Sequence, residues 1–204
     1  MRDLCGRGSN GRPYPTNPSR TLRCGGFSLV ELLVVTVLAA SAAVVAAPAL
    51  SGWHARDRVD GAARALLASL TFARGEAIAR GARVVVCPVD GTARCAARAH
   101  PCSRGPLGWT CGWAVVVDAG RAGRALRVYR RVPGLSIAAG SAPVEFTPPA
   151  GQVIGGFRKF ELAAAGAMTL RDGDPERDRL RRCIRIAAGG RARLERGGCD
   201  GRRA

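Results

Sequence analysis

The chain has 204 residues, a formal net charge of +17 and a sequence pI near 11.3, a length that suits one compact domain with one appendage. The excess is almost all arginine, since Lys159 is the only lysine. A field of that sign attracts nucleic acid, anionic lipid headgroups or acidic surfaces, and it excludes nothing about fold. A GC-rich genome produces the same arginine bias, so composition alone assigns no partner. Cysteine usage says more. Cys5 and Cys24 precede a long apolar run, and Cys87, Cys95, Cys102, Cys111, Cys183 and Cys199 follow it. Six cysteines downstream of such a run suit an oxidising compartment and disulfides, with about 15 possible connectivities.

Residues Phe27 to Leu50 read FSLVELLVVTVLAASAAVVAAPAL. As a helix this run rises roughly 36 Å, enough to cross a hydrocarbon core about 30 Å thick. Ahead of it, Arg2, Arg7, Arg12, Arg20 and Arg23 stand against one acid, Asp3. The positive-inside rule keeps that segment in the cytoplasm and the bulk of the chain outside. Glu31 needs a reason, because an acid in a spanning helix costs about 2.5–3.5 kcal/mol on insertion scales. The stretch Gly25-Gly26-Phe27-Ser28-Leu29-Val30-Glu31-Leu32-Leu33 resembles the cleavage motif of type IV prepilins and pseudopilins. The resemblance implies that a prepilin peptidase cuts after Gly26 and that Phe27 becomes a methylated N-terminus. It also implies that Glu31 neutralises the free amine of a neighbouring subunit inside the filament core. Pro48 falls near the bend of that family's long helix, and a proline does remove one helical hydrogen bond. Ala40-Ser41-Ala42 imitates a signal-peptidase site, but the apolar region before it would contain Glu31.

From about Ser51 to Arg80 the helix is expected to continue outside the membrane. Val59, Ala63, Leu66, Leu70, Ala73 and Ala77 recur at helical spacing and make one apolar stripe, suited to packing on the chain's own sheet. Asp60 with Arg64, and Glu76 with Arg80, are i, i+4 pairs on the opposite side. Gly81 ends the helix. Beyond it the period shifts to short β-runs at Arg83–Cys87, Trp113–Val117, Leu126–Val132, Val144–Phe146, Phe157–Leu162, Met168–Arg171, Arg181–Ile186 and Arg191–Leu194. One helix followed by many strands predicts an α+β fold, the helix lying on an antiparallel sheet. The segments LLASLTFARGEAIARGARVVVC (66–87) and Gly108-Trp109-Thr110-Cys111-Gly112-Trp113 running into Ala114–Asp118 resemble the FimT/GspH family of minor pilins and pseudopilins. The expected organisation is then a leader at 1–26, a membrane and filament-core helix at 27–50, its amphipathic continuation at 51–80, and a periplasmic β-rich domain at 82–204. The protein would sit in the inner membrane by a single span and enter a filament beside other pilins.

Among candidate sites the C-terminal end is the most informative. Ile184 and Ile186 alternate with Cys183 and Arg185, and Ala192 and Leu194 alternate with Arg191 and Arg193. A three-residue loop, Ala188-Gly189-Gly190, sets Ile186 against Ala192 and Ile184 against Leu194. A two-residue loop would place Arg193 on the core face, where an unpaired guanidinium is costly. The longer loop leaves Arg185, Arg191 and Arg193 outward, with Arg181, Arg182 and Arg196 nearby. Like charges on facing strands destabilise, so an anionic partner is expected. Gly190-Arg191-Ala192-Arg193 also matches the G-R-x-R motif of the DNA-binding FimT members of the family. The implied function is non-specific DNA binding by phosphate contact, for uptake in natural transformation. Few aromatics lie near this hairpin, so single-strand stacking on a platform is not expected. The alternative is a structural subunit at the tip of a type II secretion pseudopilus, contacting protein only.

Cys183 and Cys199 are expected to pair and staple the hairpin, with Cys87, Cys95, Cys102 and Cys111 pairing among themselves. Cys95-x4-His100-x-Cys102-x8-Cys111 imitates a zinc site but lacks a C-x2-C clamp. Residues 172–178 space their acids like a calcium loop, yet Cys183 stands where the last ligand belongs, and a polar turn fits better. No nucleophile–base–acid set stands out; neither an enzyme nor a cofactor is expected.

Overall fold

The computed structural model describes residues 28–90, 94–95, 108–117, 123–140, 143–171 and 173–199. The expected cleavage site at Gly26 and Phe27, together with His100, Cys102 and Asp172, lies outside the described residues. Helix α1, Leu29–Arg80, takes in the apolar run and its amphipathic continuation. The chain divides into two units, Met1–Val44 and Val45–Ala204.

In the first unit the helix opens on a local cap. The Ser28 hydroxyl oxygen accepts the backbone N–H of Glu31 at 3.2 Å, as in the Ser-x-x-Glu arrangement that satisfies free donors of a first turn. Leu29, Val30, Leu32 and Leu33 are exposed. Among the described residues no helix is long and apolar enough to cross a membrane. The side chains of 45 and 47–51, which fall inside or just after the apolar run, lie outside what the structure describes.

In the second unit the helical stripe is the centre of the core. Val59, Ala63, Leu66, Leu70, Ala73 and Ala77 are each fully buried, in one cluster with residues of both sheets. Leu66 and Leu70 each contribute about 1.5–3 kcal/mol on removal from water. Gly81 ends α1 at φ +60°, a conformation that favours glycine after a helix. Glu76 and Arg80 pair as expected, but Asp60 gives its carboxylate to Arg182, 122 residues away.

The strands form two antiparallel sheets. The first contains β1 (Val84–Pro88), β2 (Gly112–Val117), β3 (Arg124–Arg130), β5 (Val144–Thr147) and β6 (Gln152–Val153), in the order β3-β2-β1-β5-β6. The second contains β4 (Leu135–Ala139), β7 (Arg158–Ala164), β8 (Arg181–Ile186) and β9 (Ala192–Arg196), in the order β4-β7-β8-β9. Central β1 is buried along its whole length, which accounts for its unbroken apolar sequence. Trp113 donates its indole N–H to the buried Ser69 hydroxyl at 2.9 Å, and Ser69 donates in turn to the Ala65 carbonyl. Trp109 packs edge-on against Phe160 with centroids 4.8 Å apart. The tryptophans thus join helix and sheets.

The α+β class is the expected one, and several elements differ. β4 and β6 were not expected as strands. The expected strand at Met168–Arg171 does not form: Met168 and Thr169 end a 3-10 segment, Ala165–Thr169, where a run of small residues follows β7, and Leu170 and Arg171 lie beyond it. The expected polar turn at 172–178 contains a short helix, α2 (Pro175–Arg179). Asp174 caps it by accepting the Glu176 N–H at 2.8 Å, and Pro175 sits where no helical donor is needed. Among the described residues no group of His, Cys, Asp and Glu could hold a metal ion.

Candidate nucleic-acid interface

The β8–β9 hairpin has the register that parity requires: Ile186 faces Ala192, Arg185 faces Arg193 and Ile184 faces Leu194. The loop closes through the Gly190 N–H to the Ala187 carbonyl at 2.8 Å and the Ala187 N–H to the Arg191 carbonyl at 3.1 Å. Gly190 adopts φ +78°, and a Cβ there would lie 1.9 Å from the Gly151 carbonyl oxygen. The tip therefore rests on the turn between β5 and β6. The Val153 N–H adds a bond to the Ala188 carbonyl at 3.0 Å.

The six arginines expected at this surface separate into two groups. Arg182 shares the inward parity of Ile184 and Ile186 and is buried. Its Nε donates to Asp60 on α1, and its Nη1 donates to the Arg179 and Arg181 carbonyls at 2.9 and 2.6 Å. A guanidinium so enclosed is no surface contact, which removes Arg182 from the expected row. Arg181 faces outward but forks onto Glu161 of β7, with only 15% of its side chain exposed. Arg185 donates to Glu195 at 3.1 Å and to the Cys199 carbonyl at 2.5 Å. Glu195 thus offsets part of the repulsion between Arg185 and Arg193, and the facing arginines do not by themselves demand an outside anion.

Arg191, Arg193 and Arg196 have no ion-pair partner among the described residues, and all three are exposed. Arg196 faces Arg182 in register, so it leaves the sheet on the α1 side. There it lines a cavity of about 300 Å³ with Arg56, Asp178, Arg179, Arg182 and Gly197. Beside that cavity, hydrogen bonds from Arg56 hold the Glu176 carboxyl below the ordinary glutamate range, with Arg179 adding to the effect. Arg191 and Arg193 remain on the outer face, where Lys159 of β7 lines up with Arg185 and Arg193 across three strands.

The chain beyond β9 folds back over that outer face. Cys199 bonds to Cys183, with Cα atoms 4.9 Å apart, and its N–H donates to Glu161 at 2.9 Å. Cys87 bonds to Cys95. Cys111 is disulfide-bonded as well. Sequence reasoning missed Asp60, Glu161 and Glu195, the carboxylates that engage half of the arginine set. Only Glu195 offered a local signal, by sharing the parity of Arg193.

Glu31 occupies the first turn of α1, exposed, with its backbone tied to Ser28. An acid there is also favourable to the helix dipole.

No curated protein matches the chain. Two crystal structures of the type IV minor pilin FimU of Pseudomonas aeruginosa resemble it at 21% and 22% identity, with TM-scores of 0.47 and 0.49. They cover 67% and 69% of this chain and 91% and 90% of FimU. The sequence profile described as type II transport protein GspH matches residues 62–190, from the middle of α1 to the tip of the β8–β9 hairpin. That span exceeds half of the chain, and the chain belongs to the GspH family of pilin-like proteins.

Proposed function

We propose that this protein is a minor pilin that binds DNA through the outer side of its C-terminal hairpin, serving DNA uptake in natural transformation. The observation that carries the reading is the pair Arg191 and Arg193, solvent-facing and without an ion-pair partner among the described residues, on a hairpin whose tip is fixed by the Gly190–Gly151 contact. Guanidinium forks suit phosphate oxygens, and a rigid pair on an open face suits a backbone of any sequence. Arg185 and Lys159 extend the same row, while Arg181 and Arg182 are spent on internal carboxylates. Arg196 points to the other side of the sheet. Binding is weak per subunit and steep in salt.

In the same reading the prepilin peptidase removes residues 1–26 after Gly26, and Phe27 becomes the methylated N-terminus. The run from Phe27 to Leu50 anchors the chain in the inner membrane, with the β-rich domain in the periplasm. Glu31 then meets a neighbouring pilin's amine during assembly. Mature protein whose N-terminal sequence starts elsewhere than Phe27 refutes the processing step.

A specific observation favours a second reading. The family match carries a type II transport description and stops at Gly190, before Arg191 and Arg193. In that case the chain is a structural subunit at the tip of a secretion pseudopilus. The deciding experiment titrates DNA onto the full-length protein in detergent micelles across a salt series. Replacing Arg191 and Arg193 by glutamine is expected to lower the log–log salt slope by about 0.9 per lost phosphate contact on duplex DNA. The double variant still assembles filaments but takes up little DNA. An unchanged affinity and slope overturns DNA binding and leaves the structural subunit.

A further inference from the structure

We propose that the outer face of the β4-β7-β8-β9 sheet takes single-stranded DNA, with the ring of Phe157 as the stacking platform for a base. Lys159, Arg191 and Arg193 hold the flanking phosphates. The proposal rests on the reading of this hairpin as a DNA-binding surface and adds the strandedness of its ligand.

Phe157 is 72% exposed. A lone exposed apolar side chain on a surface needs no explanation; its position is what counts. The β7–β8 register ends with Arg158 opposite Ile186, and Phe157 is the residue just before it, on the side where Ala187 follows Ile186. Ala187 in turn bonds to the Arg191 carbonyl. The sheet's outer face carries one cross-strand row, Lys159, Arg185 and Arg193, and strand alternation continued one residue past the ladder would set Phe157 beside Ala187 and Arg191 at its end. Alternation assigns the opposite face to Phe160, Leu162, Ile184 and Ile186, all in the core.

Strand spacing of about 4.8 Å and a two-residue repeat of about 6.6 Å place Lys159, Arg191 and Arg193 within reach of a base laid on the ring. Ala187, with only a methyl group, keeps the surface between ring and Arg191 low and open. The backbone leading to the ring is held in place. Gly155 and Gly156 turn the chain at φ +86° and +80°, and the Arg158 guanidinium packs where a Gly155 Cβ would stand. The turn before them is held against the hairpin tip by the Val153–Ala188 bond and the Gly151–Gly190 contact. The acids on this face, Glu161 and Glu195, are engaged by Arg181 and Arg185. An aromatic platform inside a cationic groove is how proteins hold unpaired strands of varied sequence, whereas bases inside a duplex cannot reach such a ring without unstacking. The few aromatics near the hairpin in sequence hid this, because Phe157 arrives from another strand.

The test uses full-length protein in detergent micelles, with a short oligothymidine and a blunt duplex of equal length as probes. Phe157→Ala is expected to weaken oligothymidine binding roughly 5- to 100-fold and leave duplex binding unchanged. Phe157→Trp is expected to keep or strengthen it, and the Arg191→Gln, Arg193→Gln double variant weakens both probes. If Phe157→Ala changes neither probe, or both equally, the stacking proposal is overturned while DNA binding stands. A Phe157→Ala protein that binds oligothymidine as wild type does but fails to enter filaments makes the ring a subunit contact and also overturns it. Wild-type protein that binds neither probe removes the DNA reading itself.

Discussion

Gly190→Ala isolates what the hairpin tip requires. The residue sits at φ +78°, which costs a side chain-bearing residue about 1–2 kcal/mol. Its new Cβ would stand 1.9 Å from the Gly151 carbonyl oxygen, and a backbone atom cannot swing aside as a side chain could. Relief requires moving the tip off the β5–β6 turn, at an overpacking cost of about 1–3 kcal/mol. It also stretches the Val153–Ala188 hydrogen bond, worth about 0.5–1.5 kcal/mol. Together these make a loss of about 2.5–6.5 kcal/mol, or a melting shift of roughly 5–26 °C for a chain of this size. The adjacent glycine is the internal control. Gly189 has no atom within 4 Å of its would-be Cβ and no left-handed φ. Gly189→Ala is therefore expected to be neutral, or to stabilise by about 0.4–1 kcal/mol through the unfolded chain. Thermal melting of the oxidised full-length protein, followed by circular dichroism, reads both. Melting points for the two variants within a degree or two of each other would refute the packing argument. The glycine that opens the Gly190–Arg193 motif would then not be there for shape.

Three further outcomes follow from the contacts around the hairpin. Asp60→Ala should cost about 2–4 kcal/mol, because it strands a guanidinium whose side chain is only 10% exposed. Arg182→Met should cost less, since it releases a carboxylate already one-third exposed; urea unfolding that gives the reverse order sinks this. Replacing Cys183 and Cys199 by serine should cost about 3 kcal/mol for a closure across 16 residues. A loss well under 1 kcal/mol in reversible unfolding would contradict it. Glu176 is paired with Arg56, and its folded pKa lies below its unfolded value, so its contribution exists above about pH 4.3 and fades as pH falls through the folded value. The melting-point gap between wild type and Glu176→Gln should be widest at neutral pH and close on acidification; a gap that widens in acid contradicts the pairing.

Much of the architecture is legible in the amino-acid sequence. The stripe from Val59 to Ala77 is periodic enough to name the buried face of α1 residue by residue. The hairpin register is legible because only one loop length keeps Arg193 off the core face. The rule behind that inference, that arginine avoids the core, still fails one strand away. Arg182 sits on the core face because Asp60 meets it from α1, a pairing across 122 residues that no local pattern announces. Arg181 and Glu161 make a second non-local pair, on the outer face across β7 and β8. β6 is two residues long and exists only because the β5 edge is there to pair with. α2 reads as a turn because its five residues offer cap and charge signals without an apolar face. The fold-back of Cys199 across the outer face depends on a covalent bond, which spacing suggests but does not aim.

Among the described residues the order of the two sheets leaves β3 and β9 each at a sheet edge. β3 carries Arg124, Arg127 and Arg130, and β9 carries Arg193, Glu195 and Arg196. An exposed edge with free backbone donors is a template for pairing with another copy, and charged side chains are the usual guard. For a member of a pilin-like family, whose β-domains would be brought close to one another by assembly, those charges disfavour edge-to-edge pairing, whatever else the outer face holds. Glutamine at Arg193 retains polarity but surrenders like-charge repulsion, so β9 is where self-association would first show.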